Sequence, residues 1–303
     1  MDRLRAYEMF AAVAAKGSFT RAAEALETSP ANVTRYVQEL EAHLGVRLVN
    51  RTSRRLSLTE GGRALHERVQ TILDDAAEAE AEVSAASLSP RGRLRINAPL
   101  SFGFLQLASL WPQFLARYPD IELEVDLIDR VVDLVEEGYD LAIRISRRGS
   151  QAVVGRKLAS SRNIVCAAPA YIARRGMPMK PQDLTTHACI GYTLVQDSEV
   201  WNLEDAEGRP HSVRINAVMR SNNGDTCRAA ALAGLGVIWQ PTFLVGKDLL
   251  EGRLVPVLPG FRMSEIDVLA IYPSRRHLSA KVRVMVEFLA EAFRGVPVWD
   301  RAA

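Results

Sequence analysis

Residues 18–45, SFTRAAEALETSPANVTRYVQELEAHLG, decide how this chain is read, because they hold two helices and the tight turn between them. Gly17 tolerates the left-handed conformation that closes a helix, and the Ser18 hydroxyl can accept a bond from an orphan N–H of the next one. Residues 19–26 form a short helix with Ala22, Ala23 and Leu26 on one face, and Glu27-Thr28 is the turn. Ser29 then caps a second helix, with Pro30 at its first position, where the missing N–H costs nothing.

In the second helix Val33, Val37, Leu40 and Leu44 recur at helical spacing and are expected to face a core. Ala31, Arg35 and Gln38 point the other way, with Asn32 and Thr34 on the flanks. Such a face suits a DNA major groove. Arginine bonds guanine O6 and N7, asparagine and glutamine bond adenine, and small residues let the helix sit close. Ser29, Pro30, Ala31, Asn32, Thr34, Arg35 and Gln38 are therefore the candidate DNA contacts. Taken alone, the stretch can also be read as an amphipathic hairpin with a solvated polar face.

Its neighbours favour DNA. Residues 4–16 read as a first helix that packs Phe10 and Val13 behind the pair. After Gly45 comes VRLVNRTSRRLSLTEGG, with Leu48, Leu56 and Leu58 on a buried side and a basic, hydroxyl-bearing hairpin tip. In such a wing Arg51, Thr52, Ser53, Arg54 and Arg55 can neutralise phosphates or enter a minor groove. Thr59 caps a helix that then runs without proline or glycine from Gly62 to about Ser87, roughly 40 Å of rod. Leu65, Val69, Ile72, Ala76, Ala79 and Val83 alternate in steps of four and three along it. This heptad seam has no core of its own to cover it, and is expected to pair with a second copy.

The Ser/Pro/Gly-rich segment SAASLSPRG, residues 84–92, is the clearest boundary. Beyond it, strands are predicted at residues 94–98, 121–127, 141–145, 163–168, 190–192, 213–219, 237–240 and 266–272. Helices are predicted at 104–117, 130–137, 226–233 and 280–293. The alternation argues for an α/β fold with mainly parallel sheets, and pattern alone does not choose one large sheet or two lobes.

At 303 residues, 48% apolar and 24% charged, the chain has the composition of a globular protein of two or three units. Its net charge of +2 conceals a basic patch at Arg47, Arg51, Arg54, Arg55 and Arg63, followed by acids at Asp74, Asp75, Glu78, Glu80 and Glu82. Cys166, Cys189 and Cys227 are widely spaced, fit no metal pattern and read as reduced core thiols. The N-terminus superficially has signal-peptide composition, but Glu8 interrupts its apolar run, and no run approaches the ~18–20 apolar residues of a membrane span. A cytoplasmic protein without cofactor is expected. No nucleophile elbow, P-loop or metal-spaced His or Cys set is present, which argues against an enzyme. A cytoplasmic carrier of small molecules without DNA binding is the other alternative.

In combination these motifs resemble the LysR-type transcriptional regulators over essentially the whole chain. The residues that carry the resemblance are Phe10 and Val13, G-S-F-T-x-A-A-x-x-L from Gly17, S-P-x-x-V-T-R from Ser29, and L-E-x-x-L-G-V-x-L from Leu40. R-T-x-R-x-x-x-L-T-x-x-G from Arg51, Y-D-L-A-I-R from Tyr139 and A-G-L-G-V from Ala233 complete them. Thr34 stands where serine is commoner in the family and keeps the hydroxyl. The resemblance implies an all-α winged helix-turn-helix over residues 1–58 and a dimerising linker helix over 59–89. It also implies an α/β effector domain over 90–303 that resembles periplasmic solute-binding proteins. That domain would have one lobe at about 90–162 and 264–303 and a second at 163–263, with crossings near Arg162 and Met263 to Glu265. Promoter DNA, a small-molecule effector and a homodimer or homotetramer are the partners so implied.

Ligands of open α/β sheets bind at the carboxyl ends of strands and at helix N-termini. Four segments qualify: Pro99-Leu100-Ser101-Phe102, Arg144 with Ser146, Ser221-Asn222-Asn223, and Trp239 with Pro241. The resemblance places effector contacts in the same four places. Ser101 and Asn222 are equally helix caps, Trp239 is equally a core residue, and Arg144 pairs either with an effector carboxylate or with an acid such as Asp140. Were Arg144 in the cleft, an organic acid would be the natural effector.

Overall fold

The computed structural model describes residues 1–51, 56–83, 90–147, 155–195, 197–273 and 278–300. The wing-tip candidates Thr52, Ser53, Arg54 and Arg55 lie outside the described residues, as do the break at 84–89 and the side chains of Arg51, Ala79 and Val83. The chain divides into two compact units, residues 1–93 with Glu136–Gly138, and the rest of 94–303.

In the first unit, helix α1 (Arg3–Lys16) ends at Gly17, whose φ of 59° is the left-handed value that glycine adopts without strain. Helix α2 (Phe19–Ala25) starts at Ser18, whose hydroxyl accepts from Arg21 N at 3.4 Å. Helix α3 (Pro30–Leu44) starts at Ser29, which accepts from Asn32 N at 3.2 Å. Strands β1 (Val49–Arg51) and β2 (Leu56–Leu58) pair antiparallel with Val49 opposite Leu58. Helix α4 (Glu60–Val83) is capped by Thr59, whose Oγ1 accepts from Gly62 N at 2.9 Å. Ala6, Met9, Phe10, Val13, Ala22, Ala23, Val33, Val37 and Leu40 close into one core with Leu48 and Val49.

Two expectations about this unit are corrected. Leu44 is 38% exposed, because α3 ends there and Leu48, at 1%, takes the covered place where the chain turns back. The rod does have a core over its first turns: Val69 is fully buried among the head residues, and Leu65 and Leu73 pack against the same cluster. Apolar surface already removed from water inside the chain has little left to contribute to a second copy. Ile72 is 41% exposed.

The second unit begins with β3 (Gly92–Ala98), the one-turn α5 (Leu100–Phe102) and a π-turn over Gly103–Leu107, whose signature is the bond from Ala108 N to Gly103 O at 2.9 Å. Next come α6 (Trp111–Arg117), β4 (Ile121–Leu127), β5 (Leu141–Arg147) and β6 (Gly155–Ser161). The chain then builds a second set: β7 (Asn163–Ala167), α7 (Pro169–Arg175), β8 (Ala188–Tyr192), β9 (Val200–Glu204), β10 (Pro210–Arg214), β11 (Asn216–Ser221) and α8 (Gly224–Leu232). After β12 (Ile238–Pro241), α9 (Thr242–Leu250) and β13 (Val255–Pro256), it returns for β14 (Ile266–Ile271) and α10 (Ala280–Ala292). Lobe I is the sheet β4-β3-β5-β14-β6, and lobe II carries β12-β7-β13, β11-β8 and the hairpin β10-β9. The chain passes from one sheet to the other at Arg162 and is back in the first at Ile266.

The predicted helix at 130–137 is a series of turns. Its apolar residues do not share one covered face: Val132 is buried at 6%, while Val131 and Val135 are 85% and 66% exposed, and Asp133 Oδ1 accepts from Val135 N at 2.9 Å in a local turn. The strand predicted at 213–219 is two strands, because the run changes partner at Ile215: β10 pairs antiparallel with β9, and β11 parallel with β8. Helix 104–117 starts earlier, at Leu100, and is interrupted after the π-turn. The sheets are mixed rather than mainly parallel. β3 and β5 run parallel, whereas β14 enters lobe I from the far lobe and pairs antiparallel with both β5 and β6.

One core joins the lobes. Phe102 of lobe I meets Phe243 of α9 at 5.2 Å and Trp299 at 5.8 Å, both edge-on, and Phe293 at 5.9 Å. This aromatic cluster floors the space between the two sheets.

Candidate DNA-reading face and effector cleft

Ser29, Pro30, Ala31, Arg35 and Gln38 are exposed on α3, with Asn32 and Thr34 half-buried beside them. Arg35 is held in an extended pose. Its Nη2 donates to Asn32 Oδ1 at 3.0 Å, its Nη1 to Glu39 Oε1 at 3.3 Å, and its guanidinium stands 4.9 Å from the Tyr36 ring. Asn32 in turn donates from Nδ2 to Thr28 Oγ1 at 3.0 Å. The side chain is 60% exposed, so these contacts orient it without removing it from solvent. A guanidinium presented in one geometry loses less rotamer freedom when it meets a planar pair of acceptors.

Between the lobes lies a cavity of about 350 Å³. Pro99, Ser101, Phe102, Arg144, Ser146, Trp239 and Pro241 line it, as sequence position suggested for each. Leu100, Ser221, Asn222 and Asn223 are not among its lining residues. Asn222 is exposed, and it is Asn223 that caps α8, accepting from Thr226 N at 2.9 Å. Trp239 is half-buried and packs against the lobe II core while facing the cavity.

Among the described residues charge in the cleft is uneven: Arg130, Arg144 and Arg147 line it with a single carboxylate, Asp129. Arg144 Nη1 donates to the buried Asn97 Oδ1 at 2.5 Å and to Ile143 O at 3.0 Å. Asp140 is engaged elsewhere, accepting from Arg95 N at 2.8 Å and facing Lys281 Nζ at 3.2 Å. Asp129 Oδ1 accepts from Leu100 N at 2.9 Å, and Asp225 Oδ2 accepts from Ser101 Oγ at 2.6 Å. Burial first, then the Asp129 carboxylate and the Cys227 thiol, push the Tyr192 phenol up to about 12, so it faces the cavity as a neutral hydroxyl.

Sequence reasoning missed Asp129, Tyr192 and Asn163, all of which line the cavity, as does Gln240 between the candidates Trp239 and Pro241. Asp129 and Tyr192 stand at the carboxyl ends of β4 and β8, so the strand-end rule reaches them too. Asn163, at the start of its strand, had no local signal. Among the described residues no group of three or more His, Cys, Asp or Glu is placed to hold a metal ion, and no helix is long and apolar enough to cross a membrane.

A winged helix-turn-helix head followed by two α/β lobes around a cleft is the architecture of a regulator with an effector-binding domain. Residues 4–63 match the bacterial regulatory helix-turn-helix family of lysR type, and residues 87–294 match the LysR substrate binding domain. The chain belongs to the LysR family of transcriptional regulators. It is 37% identical over 289 residues to the HTH-type transcriptional regulator DmlR of Escherichia coli K12, covering 94% of this chain and 92% of that one. It is 35% identical over 284 residues to the regulator CrgA of Neisseria meningitidis, covering 93% and 94%. The solved structure of CrgA superposes with a TM-score of 0.61 at 33% identity, over 96% of this chain and 99% of that one. Full-length AphB, a Vibrio cholerae virulence activator, superposes with the same TM-score, 0.61, at 26% identity, over 96% and 99%.

Proposed function

We propose that this regulator binds double-stranded promoter DNA in a sequence-specific manner, and that a small organic acid between the lobes changes how it binds or bends that DNA. The exposed α3 face, with the Arg35 guanidinium oriented by Asn32 and Glu39, carries the DNA reading. Ser29, Pro30, Ala31, Thr34 and Gln38 complete that face, and Arg51, Thr52, Ser53, Arg54 and Arg55 add wing contacts to phosphates or the minor groove. Fluorescence anisotropy with the DNA upstream of its own coding region tests this. Binding to that fragment should be orders of magnitude tighter than to random duplex and fall steeply with salt. Equal affinity for both duplexes overturns it.

Two copies pair through α4 beyond Val69, with Ile72, Ala76, Ala79 and Val83 in the seam, so that two heads meet two half-sites. Two such dimers form a homotetramer. Such a partner places the protein in the cytoplasm, and the cleft serves binding rather than catalysis.

Three arginines against one carboxylate support an anionic effector, with Arg144 as the carboxylate partner. Isothermal titration against a panel of organic acids should give binding to wild type that Arg144→Ala weakens about tenfold or more. Unchanged binding by the variant removes Arg144 from that role.

A further inference from the structure

Where the chain crosses between lobes, the polar residues that line the cavity are the amides Asn163 and Gln240 and the hydroxyl-bearing Ser264; Arg162, at the crossing, is paired with Asp300 and is not among the lining residues. Asn163 is the first residue of β7 and only 8% exposed. Its Nδ2 donates to Ser264 O at 2.7 Å, which ties the outgoing crossing to the returning one. That bond also fixes which way the amide points. A carbonyl oxygen can only accept, so the NH₂ end must face it and Oδ1 must face away. Asn163 lines the cavity, and its Oδ1 is buried with no hydrogen-bond partner among the described residues. Gln240 lies on the adjacent strand, where Pro241 pairs with Asn163, and is a second amide on the cavity wall at 3% exposure. Gly224 packs closely beside it: a Cβ there would stand 2.8 Å from Leu244 Cδ2, 3.3 Å from Gln240 Oε1 and 3.8 Å from Ser101 Oγ.

A buried acceptor left unmade is costly, and such groups are rare unless a partner arrives from outside. The partner must be a donor. An ammonium group would have to shed its water against neutral amides, while a hydroxyl brings a donor at far smaller desolvation cost. Arg144 lies opposite Leu269, three residues further along β14 than Arg147, which lies opposite Ile266 at the crossing; a carboxylate on Arg144 therefore leaves Asn163 to another part of the ligand.

We propose that Asn163 is the specificity-determining acceptor of the cleft, and that the effector is a hydroxylated organic acid whose hydroxyl donates to Asn163 Oδ1 while its carboxylate meets Arg144. This rests on the organic-acid reading above and narrows it to one class. The test is calorimetry on the full-length protein with matched acids: mandelate against phenylacetate, malate against succinate, lactate against propionate. Methoxyphenylacetate, which keeps the oxygen and loses the donor, and phenylglycine, which carries an ammonium, complete the set. In at least one pair the hydroxy acid should bind about tenfold tighter than its deoxy partner, and methylating the hydroxyl should abolish the gain. Asn163→Leu should then bring hydroxy and deoxy acids to equal affinity.

Wild type that binds hydroxy acid, deoxy acid and methyl ether equally overturns the role of Asn163 and leaves the organic-acid reading standing. Phenylglycine binding more tightly than mandelate also overturns it, because the donor is then an ammonium. If no acid in the set binds wild type, the organic-acid reading itself fails and takes this inference with it. The methyl-ether comparison needs no variant, so a misfolded Asn163→Leu protein does not remove the test.

Discussion

Ser101 Oγ donates to Asp225 Oδ2 over 2.6 Å, which links the single turn α5 of lobe I to the first turn of α8 in lobe II. The neighbouring Leu100 N–H is held in the same manner by Asp129. The two donors that position alone offers to an incoming anion are therefore occupied by the chain's own carboxylates. An acidic effector either competes with Asp225 or leaves this corner and uses the Arg144 side of the cleft.

Asp225→Asn keeps the shape and an acceptor for Ser101 while removing one like charge from the rim. Small carboxylates should bind the variant about three- to tenfold more tightly, the effect of one charge across a partly solvated gap. Calorimetry with the best-binding acid reads this directly. Unchanged affinity would make the Ser101–Asp225 bond a tie between lobes with no bearing on the ligand.

Replacing Arg35 by Ala should cost about 1–3 kcal/mol at the operator and much less on random duplex. Asn32→Ala frees the guanidinium from one of its props and should show a smaller loss of the same kind. Anisotropy on operator and scrambled duplexes separates the two. Equal losses on both would reassign Arg35 to a phosphate.

Ile72 and Val69 sit one turn apart on α4 and should respond differently to the same substitution. Ile72→Asp lies at an exposed position and should leave the melting curve within about 0.5 kcal/mol of wild type while light scattering shows monomers. Val69→Asp buries a charge in the head core and should melt that unit before any question of pairing arises. A dimeric Ile72→Asp protein would exclude this face of α4 as the interface.

Gly61 and Gly62 open the same helix, yet only one can take a methyl group. A Cβ on Gly62 would stand 2.0 Å from Leu48 O, whereas one on Gly61 meets nothing nearer than 4.0 Å. Gly62→Ala should destabilise the head by about 1–3 kcal/mol, and Gly61→Ala should be neutral or stabilise by about 0.4–1 kcal/mol. Thermal melts followed by circular dichroism decide.

Burial pushes the Cys166 and Cys189 thiols up to about 12 and that of Cys227 up to about 11. A raised value keeps the protonated, unreactive form through pH 7–9 in the folded state, with thiolate appearing only on unfolding or far above that range. A thiol reagent at pH 8 should therefore label none of the three in native protein and all three in denaturant, where ordinary values of about 8.5 return.

The parts of this chain legible in one dimension are those set by near neighbours. Gly17-Ser18, Ser29-Pro30 and Thr59 mark helix ends because caps are made within three or four residues, and the structure shows those caps in place. The strand-end rule reached Pro99, Ser101, Arg144, Ser146 and Trp239 because strand direction alone fixes which end opens on the cleft. The helix predicted at 130–137 failed for the converse reason: Val131 and Val135 have helical spacing, but among the described residues both stay exposed and it is Val132 that is buried.

What residue order determined by itself was the catalogue of elements in the head, the apolar face of each, and the basic, small and amide groups left over on α3. Tertiary structure decided who covers whom. It took Val69 into the head core, turned β14 back into lobe I, aimed Asp225 at Ser101, and left Asn163 Oδ1 buried beside the cavity with its other end fixed on Ser264. Periodicity reports that a face is apolar and a cap reports that a helix begins. Neither carries the distance between residues 101 and 225, because that is set by the packing of two lobes and not by any bond along the chain.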